Sequence, residues 1–191
     1  MNIGVFGGSF DPVHNAHLRM AETALKEFSL DKIIFVPAYV PPHKDKLVAS
    51  GKDRYNMLCN VTKDIEKYEI DTYEIDSQKV VYSYQMLDYI KSKNSSDTIK
   101  MIIGADSFNQ LLSWKNSEYI VKKYGFIVFP RPNVETDVKS PYYKYCLFSK
   151  HVMEDISSTQ IRQYLKDNKD ISVLVPQQVA DYIKINGLYS D

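Results

Sequence analysis

Cysteine is scarce in this sequence: there are two in 191 residues, Cys59 and Cys146, far apart and in no Cys-x-x-Cys pair. Both read as reduced, partly buried thiols, which suits a reducing compartment. A charge excess is missing as well, since 24 lysines and arginines balance 24 aspartates and glutamates. No global field therefore draws the chain to nucleic acid or to an anionic membrane, and a phosphate site would have to be built locally. No window approaches the roughly 20 apolar residues of a membrane span, and the first residues enter a strand-like run without the basic and apolar regions of a secretory signal. Glycine is sparse, low-complexity tracts are absent, and 44% hydrophobic against 25% charged residues is an ordinary globular balance. That excludes disorder as the main state. The expectation is a cytoplasmic protein whose residues 1–191 form a single domain with a real core, as a monomer or a small homo-oligomer.

What the sequence does contain is an alternation of two periods. Apolar runs of strand length fall at residues 2–6, 32–37, 70–75, 99–103, 125–129 and 146–148. Helical patterns fall between and after them, at residues 16–28, 52–67, 84–93, 107–114, 117–123, 159–166 and 177–186. In the first of these, Leu18, Ala21, Ala24, Leu25 and Phe28 keep the spacing of one buried stripe. Strand and helix in repeated order predict an α/β fold, a doubly wound parallel sheet of Rossmann-like architecture. Residues 40–52 and 131–142, rich in proline and charge, read as surface loops. Ligands of such sheets sit beyond the carboxyl ends of the strands, and the polar motifs fall there.

The first motif is Gly7-Gly8-Ser9-Phe10-Asp11-Pro12-Val13-His14-Asn15-Ala16-His17. Two glycines directly after the first strand allow positive φ and close approach of backbone N–H groups to an anion. The helix that follows adds the positive end of its dipole and free N–H donors. His14 and His17, spaced i, i+3, can face one side and clamp a polyphosphate. The glycine spacing is neither a Walker loop nor a dinucleotide fingerprint. A zinc pair, an acid/base histidine and a purely structural turn are the competing readings; no third ligand at a usual spacing supports the zinc. The second motif is Ile156-Ser157-Ser158-Thr159-Gln160-Ile161-Arg162. Its hydroxyls suit a helix N-terminus, and Arg162, one turn in, offers a planar fork for phosphate oxygens. Alone it reads first as a capped helix with a solvated arginine.

Together, Gly8-Ser9-Phe10-Asp11-Pro12-Val13-His14-x-x-His17 and Ile156-Ser157-Ser158-Thr159-x-x-Arg162 resemble the two signatures of the HxGH nucleotidyltransferases, with Ala16 where that superfamily usually has glycine. Within it the chain resembles the bacterial nicotinate-nucleotide adenylyltransferases over nearly its whole length. The likeness rests on Val36-Pro37 leading to Pro41-Pro42-His43-Lys44, on Arg54-Tyr55-x-Met57-Leu58, on Gly104-Ala105-Asp106-Ser107-Phe108 with Trp114, and on the ending Asp181-Tyr182-Ile183 to Gly187-Leu188-Tyr189. Gln85, after Ser83-Tyr84, departs from the threonine common there.

The resemblance implies transfer of the AMP part of ATP to nicotinate mononucleotide, giving deamido-NAD and pyrophosphate in NAD biosynthesis. It implies His14, His17 and Arg162 as catalytic donors. It implies an ATP site from Gly7, Gly8, Ser9, Phe10, Gly104, Asp106, Ile156, Ser157, Ser158 and Thr159, with Asp106 accepting from the adenosine ribose. For the nicotinate nucleotide it implies Lys44, Tyr84, Gln85, Trp114, Lys115 and Arg131, with Trp114 stacked on the pyridine ring. By default Trp114 reads as core; Asp106 reads equally as a helix cap, and Lys44 and Arg131 equally as solvated charges; His43 and His151 have no assigned role. No protein carboxylate cage is apparent, so no protein metal site is expected and Mg²⁺ would arrive with ATP. The alternatives are the same transfer to nicotinamide mononucleotide or phosphopantetheine, and a non-catalytic nucleotide sensor on the same fold.

Overall fold

The computed structural model describes residues 1–42 and 47–190. Strand β1 (Asn2–Gly8) lies at the centre of a sheet between β2 (Lys32–Pro37) and β4 (Thr98–Gly104). β3 (Tyr68–Ile70) lies outside β2, and β5 (Phe126–Phe129) and β6 (Cys146–Phe148) continue beyond β4. The order is β3-β2-β1-β4-β5-β6, with every pairing parallel. Helix α1 (Asn15–Glu27) joins β1 to β2, and α2 (Gly51–Thr62) leads into β3. Helices α3 (Tyr73–Ser77) and α4 (Ser83–Lys93) lead into β4, α5 (Ala105–Asn109) and α6 (Ser117–Lys123) into β5, and α7 (Ser158–Lys166) and α8 (Gln177–Ile185) follow β6.

Successive side chains of a strand point to opposite faces, so β1 and β2 supply two cores. Phe6, Ile33 and Phe35 pack with Met20 and Ala21 of α1, Met57 and Leu58 of α2, Ile161 of α7 and Val179 of α8. Ile3, Val5, Ile34 and Val36 pack with Met86 and Leu87 of α4, Phe108 of α5 and Ile120 of α6. Covered on both faces, the sheet is the doubly wound architecture that the alternation predicts. The chain winds outward from β1 to β3, then returns to place β4 against the other side of β1. This reversal opens a crevice between the carboxyl ends of β1 and β4.

Four element boundaries differ from the sequence pattern. The run at residues 70–75 is not one strand: β3 ends at Ile70, and α3 starts at Tyr73. The Asp71 carboxylate accepts the Tyr73 N–H at 2.9 Å and Thr72 Oγ1 donates to Asp76 at 2.6 Å, side-chain bonds that turn the chain out of the sheet. The helix expected at 52–67 stops at Thr62, because Lys63, Asp64, Glu66 and Lys67 have no apolar face to bury and stand exposed. The pattern at 107–114 divides into α5 and a 3₁₀ turn, Leu111–Ser113, and Trp114 is extended (φ −74, ψ 140). Finally, β1 runs on through Gly7 and Gly8, which pair with Val36 and Pro37 instead of following the strand.

Candidate active site

A cavity of about 690 Å³ occupies the crevice. Its walls are the ends of β1 and β4, the first turn of α1, the segment after β2, α3, the start of α4 and the segment after α5. Of the residues expected to bind ligands, the cavity brings together Gly7, Gly8, Ser9, His17, Gly104, Asp106, Trp114, Lys115 and Arg131.

The loop between β1 and α1 differs in one respect from the expectation. Neither Gly7 nor Gly8 has positive φ; that conformation falls on Phe10, at φ 48. Gly8 is needed for space, because a Cβ there would lie 3.0 Å from the Phe10 ring. Phe10 is folded back and buried, and does not line the cavity. Its ring meets His17 edge-on at 5.0 Å and Phe6 at 5.5 Å, so it orients the histidine.

His14 is the N-cap of α1 and His17 its third residue, and their rings stack 3.6 Å apart at 24°. The backbone N–H of His14 donates to His17 Nδ1 at 3.3 Å. That bond fixes the tautomer, leaving Nε2 as the N–H donor of the neutral ring. Burial, then the charges of His14 and Arg131, hold the His17 pKa well below its usual value. Burial, with the Arg131 charge, holds His14 down at about 3. His14 is 2% exposed, contributes nothing to the cavity wall, and its Nδ1 has no hydrogen-bond partner among the described residues.

The second motif docks on the first. Ser157 caps α7, accepting the Gln160 N–H at 3.2 Å. Ser158 Oγ donates to the Pro12 carbonyl at 2.9 Å, and Arg162 Nη1 donates to the Asp11 carbonyl, 151 residues away, at 2.7 Å. A second guanidinium N–H donates to Thr159 Oγ1 at 3.1 Å. Ser157, Ser158, Thr159 and Arg162 do not line the cavity, but Ser158 and Arg162 are bonded to the loop between β1 and α1 that does. Ile156 is a packing residue, 8% exposed among Val13 and Ile161.

On the β4 side, α5 begins at Ala105 with Gly104 as its cap, so Asp106 is a first-turn residue and not the cap. Asp106 pairs with Arg131 at 3.2 Å, but Arg131 Nε makes no hydrogen bond among the described residues. The pair crosses Gly104 so closely that a Cβ there would lie 2.4 Å from Asp106 Oδ1 and 2.8 Å from Arg131 Nε. Trp114 stands half-buried on the wall, edge-on to Phe126 at 6.2 Å, and Lys115 Nζ lies 4.4 Å above the Tyr82 ring. Tyr84 and Gln85 are not on the wall; their neighbours Tyr82 and Ser83 are. The Gln85 side chain is occupied at the start of α4, where Oε1 accepts the Tyr82 N–H at 3.1 Å. Lys44 and His43 lie outside the described residues. Among those described, no group of three or more His, Cys, Asp or Glu could hold a metal ion.

Sequence reasoning missed the buried ionic framework beneath this wall. Arg54, 1% exposed, donates to the carbonyls of Ser9, Ala38, Tyr39 and Ala49 at 2.6–3.3 Å. Its place on the apolar face of α2, three and four residues before Met57 and Leu58, was the available signal. Glu74 was hidden within a supposed strand; it is 6% exposed on the cavity wall, and burial, partly offset by Arg54, raises its carboxyl to about 7.

This site can be set beside known proteins. The cytidylyltransferase-like family model matches residues 5–164, which include both motifs. The chain belongs to the cytidylyltransferase-like family. Among curated family relatives it is 44% identical to a protein of Endomicrobium trichonymphae named as a probable nicotinate-nucleotide adenylyltransferase, over 98% of each chain. It is 36% identical to one of the same name from Clostridium tetani, over 97% of each. Among solved structures, Plasmodium falciparum nicotinic acid mononucleotide adenylyltransferase complexed with NaAD superposes with a TM-score of 0.80 at 23% identity, covering 98% of this chain and 97% of that one. That likeness shows the shared fold of this family member. Among its described residues, no helix is long and apolar enough to cross a membrane.

Proposed function

We propose that the protein is a nicotinate-nucleotide adenylyltransferase, joining ATP and nicotinate mononucleotide into deamido-NAD and pyrophosphate. The observation that carries this reading is the union of the two motifs at the switch point: α7 is bonded through Ser158 and Arg162 to the loop that presents His17. The names of the curated relatives, whose chains this one matches end to end, support the choice of acceptor.

In the proposed reaction a phosphate oxygen of the mononucleotide attacks the α-phosphorus of ATP in line, and pyrophosphate leaves. Both reactants are anions, so the protein aligns and neutralises them and supplies no nucleophile. ATP enters as its magnesium complex, the ion carried by phosphates and water. His17 Nε2–H, the N–H groups around Gly8 and Ser9, and the guanidinium of Arg162 stabilise the charge developing on the phosphoryl oxygens. His14 holds His17 in its tautomer through the backbone bond. Arg131, loosely paired with Asp106, turns to a phosphate and frees the Asp106 carboxylate for ribose hydroxyls. Trp114 provides the face on which the pyridine ring stacks.

The deciding experiment is pyrophosphate release from ATP with nicotinate mononucleotide, nicotinamide mononucleotide and phosphopantetheine in parallel. The reading requires the highest kcat/KM with the nicotinate compound. Faster turnover of either other acceptor reassigns the substrate, and ATP binding without release on any acceptor makes the protein a sensor.

A further inference from the structure

The ending Gly187-Leu188-Tyr189 has no part in the reaction as described, yet Tyr189 reaches the phosphate loop. Asp11, between β1 and α1, is 1% exposed, and its carboxylate accepts three donors among the described residues. These are the N–H of Val48 at 2.9 Å, the N–H of Ala49 at 3.0 Å and the hydroxyl of Tyr189 at 2.8 Å. The carbonyl of the same residue accepts Arg162 Nη1. One residue therefore ties together the loop after β1, the approach to α2, the segment after α8, and α7.

Tyr189 is itself tightly held. It is 6% exposed, packed in the same core as Val179 and Ile183 of α8. Its backbone sits at φ 67, a left-handed conformation that a bulky residue keeps only where its surroundings impose it. Burial and the Asp11 charge push its phenol upward, so it remains a proton donor throughout the neutral range.

We infer that Tyr189 is a positioning residue for the phosphate cradle: its hydroxyl fixes the Asp11 carboxylate, and Asp11 fixes the guanidinium of Arg162. The inference rests on the adenylyl-transfer reading, in which Arg162 faces the reacting phosphates. Of five guanidinium N–H donors, two are bonded to Asp11 and Thr159, which sets the plane in which the others meet an anion. Without the phenolic hydroxyl, Asp11 keeps the Val48 and Ala49 amide donors, and the loop bearing the Arg162 acceptor gains freedom.

Tyr189→Phe keeps the ring and removes the bond. Tyr182→Phe is the control: its hydroxyl accepts from Asn56 at 2.9 Å and donates to Asp53 at 3.0 Å, bonds of the same kind on α8 that do not touch Asp11. In Tyr189→Phe, kcat falls about tenfold, the scale of one charge-assisted hydrogen bond, while KM for ATP and for nicotinate mononucleotide each move less than twofold. In Tyr182→Phe, kcat stays within twofold of the parent. Unchanged kcat in Tyr189→Phe, or an equal fall in both variants, overturns the inference in favour of general packing. Amide hydrogen exchange gives a readout independent of turnover: the Val48 and Ala49 amides exchange about tenfold faster in Tyr189→Phe only, and unaltered rates overturn it. If the parent protein releases no pyrophosphate with any acceptor, the proposed function falls, and the exchange rates alone decide whether Tyr189 holds Asp11.

Discussion

His17 has one ring nitrogen committed to the backbone of His14, and burial holds the ring in its neutral form. In the proposed reaction, removing it deletes one preorganised donor to the developing oxyanion. His17→Ala is expected to lower kcat by about 10²–10³-fold with the fold intact, measured as pyrophosphate release alongside circular dichroism. A near-normal rate would take His17 out of the chemistry. Glu74 gives a prediction about pH. Its folded carboxyl titrates at about 7 against 4.5 in the reference state, so between these values the unfolded chain releases a proton that the native protein keeps. Stability attributable to Glu74 therefore falls as pH rises from about 4.5 to about 7 and is level outside that window. The two histidines, lowered in the fold, act in the opposite sense, costing stability as pH falls below 6.5. The difference between Glu74→Gln and its parent isolates the carboxyl: in urea titrations the glutamine variant gains more at pH 8 than at pH 5. An equal difference at both pH values would show that Glu74 is not raised.

At the scale of elements, the positions that matter are helix starts. α1 begins at Asn15 between the two histidines, α5 at Ala105 beside Asp106, α7 at Ser158 after its cap Ser157, and α4 at Ser83 on the cavity wall. Gln85, expected to touch the nicotinate nucleotide, instead satisfies the Tyr82 N–H as the third residue of α4. Gln85→Ala should cost about 1 kcal/mol as a lost cap and lower the thermal midpoint by roughly 2–4 °C. KM for nicotinate mononucleotide should stay within twofold, and a larger rise would restore Gln85 to the binding site. The same element shows that a correctly read helical period does not say which of its residues reach a cavity: the resemblance implied Tyr84 and Gln85, while Tyr82 and Ser83 line the wall.

For the molecule as a whole, Arg54 is a buried tie between several segments. Its guanidinium bonds carbonyls after β1, after β2 and before α2, and Asp11, Tyr189 and Glu74 offset the burial that pulls its pKa down. Arg54→Met removes the guanidinium from four carbonyls and the Asp11 charge from its cationic neighbour. A loss of about 3–5 kcal/mol is expected from the denaturant midpoint at unchanged slope. A loss under about 1 kcal/mol would mean that water replaces the guanidinium.

By itself the sequence determined the parts that depend on short-range regularity: the alternation of periods that makes a doubly wound sheet, the apolar stripe of α1, the loop-to-helix motif with His14 and His17, and the hydroxyl-rich start of α7. These are set by backbone preference and by which face must be buried, and both are properties of neighbouring residues. Tertiary structure alone decided that the positive φ falls on Phe10 and not on the glycines, and that Asp106 pairs with Arg131 across Gly104. It alone brought Tyr189, Asp11 and Arg162 into one chain of bonds. Those outcomes depend on distances between segments up to 178 residues apart, and sequence order carries no record of such a distance until the sheet has closed around it.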